Sequence, residues 1–365
     1  MSRSLLRQRA EVASLVLPRL KSTIHVLIRL RHAFSRVLRT TKFGPRIYYC
    51  PMTDGKIASE LAKLRSNMEL AVLGKPEVVK LVVVALLAGE HILLEDVPGV
   101  GKTLIAKALA RSIAGKFTRL QFTPDLLPSD ITGSSIYNSS SGAFTFNPGP
   151  VFANVVLADE VNRAPPRTQS ALLEAMGEGQ VSVDGQTHLL PDPQLVIATQ
   201  NPFEFEGTYL LPESQLDRFL LRITVGYPER NFERELLQSH RTGEPVDTLQ
   251  PAISLQQILD AQSYVRGITF EASLIEYLLD IVHATRENDV VQIGVSTRGA
   301  LAFFRAAQAR AAVEDRDHVI PDDIKQLAIP VLAHRIVPRG MLPGADRRSA
   351  EDVIRKLLQN IKVPT

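Results

Sequence analysis

The apolar run Ile92-Leu93-Leu94 leads straight into Glu95-Asp96-Val97-Pro98-Gly99-Val100-Gly101-Lys102-Thr103. A short strand, a glycine turn and a helix start in immediate succession describe the β–loop–α unit of a parallel sheet. The glycines let backbone N–H groups point into one small cavity, where they cradle phosphate oxygens. Lys102 reaches the β- and γ-phosphates of a nucleotide, and the Thr103 hydroxyl ligates Mg²⁺. Val97, Pro98, Gly99, Val100, Gly101, Lys102, Thr103 and Leu104 form the expected ATP-binding segment. The helix that begins at Lys102 aims its positive N-terminal dipole at the same anion. One position departs from G-x-x-x-x-G-K-[ST]: where the pattern has its first glycine, this chain has Asp96.

A second motif supplies the other half of a hydrolytic site. Val155-Val156-Leu157-Ala158 is an apolar strand that ends in two adjacent carboxylates, Asp159 and Glu160. The first acid supports Mg²⁺ through water, and the second polarises the water that attacks the γ-phosphate. In a parallel sheet the C-terminal strand ends share one edge, so these acids emerge beside the loop at 99–103. Ile197-Ala198-Thr199-Gln200-Asn201 repeats the design, and its terminal amide is read either as orienting the attacking water or as capping the turn before Pro202.

The overall balance of charge excludes some functions. The 42 basic and 39 acidic residues are unevenly spread, because eleven basic side chains and one acid (Glu11) fall within residues 1–50. The remaining 31 basic and 38 acidic residues make a mildly acidic body, without the signature of nucleic-acid binding. Cys50 is the single cysteine, which excludes intramolecular disulfides and suits a reducing cytoplasm. The longest apolar run, Leu81 to Ala88, is too short to cross a bilayer. The eight histidines show no His-Glu-x-x-His spacing, and no Gly-x-Ser-x-Gly elbow or third dinucleotide glycine is present.

Four segments are expected. Residues 1–51 form a basic stretch with the composition of a transit peptide or membrane-surface helix, expected to be a disordered or surface-binding arm or to lie untranslated upstream of a start at Met52. Residues 52–228 alternate helical and strand patterns: a helical face at Ile57, Leu61, Leu64, Met68 and Val72, then strands over 92–94, 117–122, 151–158, 194–199 and 219–225. Residues 229–335 lose the strand signal and read as an all-α domain. Residues 336–365 are loop-like before a narrow apolar stripe at Ala350, Val353, Ile354, Leu357, Leu358 and Ile361, expected either to pack on the α-domain or to dock a partner.

These motifs in this order resemble the MoxR family of AAA+ ATPases. The resemblance is carried by Leu94–Thr103, Phe122–Gly133, Gly149–Met176, Ala198–Pro202, Leu211–Phe219 and Gly294–Arg335, and it runs from about Met52 to the C-terminus. It implies an α/β fold, a P-loop core with a parallel sheet flanked by helices, followed by a smaller all-α lid. It also implies an ATP- and Mg²⁺-dependent ring, a homo-hexamer, that remodels a client protein carrying a von Willebrand A-type domain. Arg218 matches an arginine finger serving the adjacent subunit, and Arg298 matches the sensor arginine of the lid. The usual Ser-Pro-Arg-Ala around that sensor is Ser296-Thr297-Arg298-Gly299 here. Arg163 and Arg167 are read either as site residues or as ordinary ion pairs. The hairpin-like segments at 133–147 and 181–190 face the central pore by the same resemblance, or simply brace the domain. The alternative reading of the whole chain is a nucleotide-gated scaffold with little turnover.

Overall fold

The structure is a computed structural model that describes residues 54–140, 142–201, 207–239, 244–340 and 347–364, so the expected 1–51 segment lies outside the described residues. The first elements are α1 (Asp54–Glu69), α2 (Pro76–Ala88), β1 (Ile92–Glu95), α3 (Lys102–Ser112), β2 (Phe117–Gln121) and α4 (Pro128–Thr132). Next come β3 (Gly133–Asn138), β4 (Ala143–Pro148), β5 (Val155–Asp159), α5 (Pro166–Glu178), β6 (Gln180–Val183), β7 (Gln186–Leu189) and β8 (Leu195–Gln200). The chain continues through α6 (Glu213–Leu216), β9 (Leu221–Ile223), α7 (Arg230–Ser239), α8 (Leu255–Val265) and α9 (Ala272–Glu287). It ends with β10 (Val291–Ile293), α10 (Thr297–Val313), α11 (Pro321–Leu332), β11 (Val337–Pro338) and α12 (Arg347–Asn360).

Five strands form a parallel sheet in the order β2-β5-β8-β1-β9. Successive strand residues point to opposite faces, and both faces are buried. Leu94, Leu157 and Ile197 join a core shared with α1, α2 and α3, while Leu93, Val156 and Val196 join a second core with Leu172, Leu173 and Met176 of α5. Two-sided burial explains why these strands read as continuous apolar runs. The expected α/β core is borne out. The strand expected over 151–158 begins only at Val155. Val151–Asn154 is turned, with Val151, Ala153 and Asn154 buried and Phe152 partly so, and Val151 and Phe152 donate to the carbonyls of Ile131 and Gly149 at 3.2 and 3.1 Å. An apolar run reports burial, and here burial extends beyond the extended backbone.

The lid is helical, and its larger helices share one hydrophobic core with α1–α3. Ser254 caps α8, whose Gln257 returns the bond, and the Ser296 hydroxyl accepts from the Gly299 N–H at 2.9 Å to cap α10. One correction applies to the all-helical expectation. β10 and β11 pair as a short antiparallel ribbon, too brief and too near Pro338 to leave a period-two signal. In α12, Ile354 is fully buried and Ala350 nearly so, and the helix packs on α9 and α11.

The two segments 133–147 and 181–190 are both hairpins. Tyr137 and Phe144 lie exposed on the first with ring centroids 5.3 Å apart, while Phe146 stacks on His188 of the second at 3.8 Å.

Candidate nucleotide site

β1 delivers the chain into the glycine loop with Gly99 at φ 86° and Gly101 at φ 91°. Both values belong to the left-handed region that favours glycine, and a Cβ at either position would meet nothing within 4 Å. The loop therefore presents bare backbone to open space, as a phosphate cradle must. Lys102 opens α3, and its Nζ donates to the Asp96 carbonyl oxygen at 2.8 Å.

The structure gives Asp96 a task that a glycine could not perform. Its side chain is nearly buried; Oδ1 accepts from the Val97 N–H at 2.8 Å and Oδ2 from the Gly226 N–H at 2.6 Å. Gly226 follows β9 at φ 67°. Asp96 thus ties the start of the phosphate loop to the segment leaving the sheet, through hydrogen bonds strengthened by its charge.

The end of β5 is held as closely. Thr199, fully buried on β8, donates from Oγ1 to Asp159 Oδ1 at 2.6 Å and accepts the Glu160 N–H at 2.8 Å. Arg119 Nη2 pairs with Asp159 Oδ2 at 2.6 Å. Glu160 adopts φ 57°, a left-handed conformation that costs a non-glycine residue about 1–3 kcal/mol. Its carboxylate accepts from Gln121 Nε2 at 2.9 Å and pairs with Arg163 Nε at 3.0 Å, both through Oε2. Thr199 and Gln121 were missed as site residues in the sequence, as was Arg119. Arg119 and Gln121 share one face of β2 by their i, i+2 spacing, which is the signal that could have found them.

These groups open into a cavity of about 880 Å³, within the range of small-molecule sites. Lys102, Thr103, Asp159 and Glu160 line it together with loop residues Pro98–Gly101 and Leu104. Its other wall is more apolar, with Val72, Leu73, Val225, Tyr227 and Pro228. Asp159 and Thr103 bordering one cavity suits Mg²⁺, which takes few protein oxygens and fills its shell with water and substrate phosphate. Of the residues expected at the site from the sequence, Val97, Asn201, Arg218 and Arg298 do not line the cavity, and neither do Arg163 and Arg167. Asn201 is buried one position past β8, Arg298 is exposed in the first turn of α10, and Arg218 donates to the Leu173 carbonyl of α5 at 2.5 Å.

Residues 91–221 match the ATPase family associated with various cellular activities (AAA), and residues 283–357 match an AAA lid domain. The chain is 43% identical to Chaperone MoxR1 of Mycobacterium tuberculosis, over 80% of this chain and 79% of that protein. It belongs to the MoxR family of AAA+ ATPases. The YeaC protein of Bacillus subtilis is 49% identical, over 83% of this chain and 95% of that one. A crystal structure from Cytophaga hutchinsonii superimposes with a TM-score of 0.77 at 36% identity, covering 86% of this chain and 97% of its own. The family expectation and the expected core-plus-lid fold are both borne out, and membership in an AAA+ family implies nucleotide binding.

Proposed function

We propose that the chain is an Mg²⁺-dependent ATPase that works as a homo-hexameric ring and uses turnover to remodel or activate a client protein. The observation that carries the hydrolytic part is the meeting of Lys102, Thr103, Asp159 and Glu160 on one cavity. Loop N–H groups and Lys102 bind the phosphates, with Lys102 exchanging the Asp96 carbonyl for phosphate oxygens. Thr103, and Asp159 through water, would hold Mg²⁺, which draws charge from the phosphate oxygens when bound. Glu160 takes the proton of the attacking water, with Gln121 and Arg163 fixing the carboxylate and Thr199 fixing its backbone.

Asn201 orients that water from the neighbouring strand. Arg298 senses the γ-phosphate in cis, which needs the lid to close on the bound nucleotide, and Arg218 serves the adjacent subunit in trans, which accords with Arg218 not lining the chain's own cavity. The family resemblance supports the ring, and it supports a client carrying a von Willebrand A-type domain. A reducing cytoplasm suits the single cysteine. Among the described residues no helix is long and apolar enough to cross a membrane.

Glu160→Gln tests the catalytic assignment. Phosphate release is expected to fall about 10²–10⁴-fold while nucleotide affinity holds. Turnover at the wild-type rate would remove Glu160 from the chemistry.

A further inference from the structure

A buried arginine of the lid grips the segment that carries Arg218. Arg335 lies in the turn after α11 with its side chain 2% exposed. Its Nε donates to Asp217 Oδ1 at 2.9 Å, and its terminal nitrogens donate to the carbonyls of Asp217, Phe219 and Leu220 at 3.3, 2.6 and 3.1 Å, and to that of Val331. The neighbouring His334 Nε2 hydrogen-bonds the Phe219 carbonyl at 3.0 Å. Backbone on both sides of Arg218 is therefore fastened to the lid, while the Arg218 side chain itself reaches out to α5.

The same carboxylate has a second lid partner. Ser296 Oγ donates to Asp217 Oδ2 at 2.9 Å and also accepts the Gly299 N–H, capping the helix whose second residue is Arg298. Gly299, where the usual motif has alanine, is explained by the same contact. A Cβ there would lie 2.8 Å from Arg335 Cδ and 2.7 Å from Val295 Cγ1, so glycine is what lets Arg335 pass beneath the turn bearing Arg298.

We propose that Ser296, Asp217 and Arg335 form a positioning relay that couples the Arg298 turn of the lid to the orientation of Arg218. A shift of α10 on nucleotide binding moves Ser296 and, through Asp217, the base of Arg218. The state of a subunit's own site then sets how well its arginine serves the next. This rests on the proposed cis role of Arg298 and trans role of Arg218.

The test is a double-mutant cycle in the full chain, read as kcat and KM for ATP with Mg²⁺, alongside affinity for a fluorescent ADP analogue and melting temperature. Ser296→Asp keeps a carboxylate N-cap for Gly299 but has no proton to donate to Asp217. It is expected to lower kcat about tenfold, the middle of the range for side chains that act on a site through others. KM and ADP affinity should stay within about twofold, an expectation that follows from the untouched cavity. Ser296→Asn, which retains an acceptor and a donor, should restore kcat. In an Arg218→Ala background, itself expected to lose about 10³–10⁵-fold, Ser296→Asp should cost nothing further.

An unchanged kcat in Ser296→Asp, a loss equal in both backgrounds, or failure of Ser296→Asn to restore it would overturn the relay while leaving the finger in place. Full activity of Arg218→Ala would instead remove the finger reading, and the relay with it. Should the carboxylate unfold the chain, Ser296→Ala in the same cycle carries the same expectations.

Discussion

The cavity and the 217–220 seam hold their charges in opposite ways. Around the cavity, partners are exchangeable: Lys102 rests on a backbone carbonyl, and Asp159 pairs with an Arg119 side chain that is 51% exposed. At the seam, Arg335 is 2% exposed and faces fixed carbonyls on every side. An exposed pair is worth about 0–1 kcal/mol, whereas removing one partner of a buried pair costs about 3–5 kcal/mol. On the proposed function, the groups that trade partners for phosphate and metal border an open cavity, and the groups that set orientation are locked into the frame.

Unfolding measurements on two arginine variants address that contrast directly. Arg335→Met takes the buried donor from Asp217 Oδ1 and from the Leu220 carbonyl, leaving Asp217 only its Ser296 partner, and should cost about 3–5 kcal/mol in denaturant unfolding. Arg119→Met, changed in the same way at the cavity, should cost about 1 kcal/mol or less. Equal losses would erase the distinction between the two regions.

Between these lies Asp96. Asp96→Gly restores the usual loop glycine, yet it is expected to weaken nucleotide binding about 10–100-fold, because a charged acceptor for Val97 and Gly226 is lost. Calorimetric titration with ADP checks this, and an affinity equal to or above wild type would show that the tie to Gly226 does not organise the loop.

The smallest expected effect is on pH dependence. Burial holds His334 well below its ordinary value of 6.5, helped by Arg335 and Arg222, and burial likewise lowers His91. The folded protein therefore binds fewer protons than the unfolded chain below about pH 6.5, so these histidines make stability fall as pH drops through that value. Above it they contribute no slope. Thermal melts at pH 7.5 and 5.5 should show the lower midpoint at pH 5.5, and the reverse order would contradict neutral burial.

Much of the core was legible in the sequence because its signals are local. The glycine loop, the Asp159-Glu160 pair and the two-sided strands each announce themselves within about ten residues. The change of texture after Pro228 likewise matches the helical lid. The seam left less trace. Arg335 bonds Asp217 across 118 positions, and no period or motif joins them. Thr199, Arg119 and Gln121 act through neighbouring strands whose order only the assembled sheet reveals. Asp96 read as a defect in a pattern, since its partner Gly226 lies 130 residues away. The β10–β11 ribbon escaped notice because three residues against two cannot establish alternation.

In the proposed ring one chain supplies the cavity and another supplies Arg218. The most direct test of this division is steady-state phosphate release per subunit, followed against protein concentration together with particle size by light scattering. Specific activity is expected to rise as subunits assemble and to level off when assembly is complete, with Arg218→Ala staying low throughout while assembling normally. A specific activity that is the same for the dispersed chain and the assembled particle would contradict it.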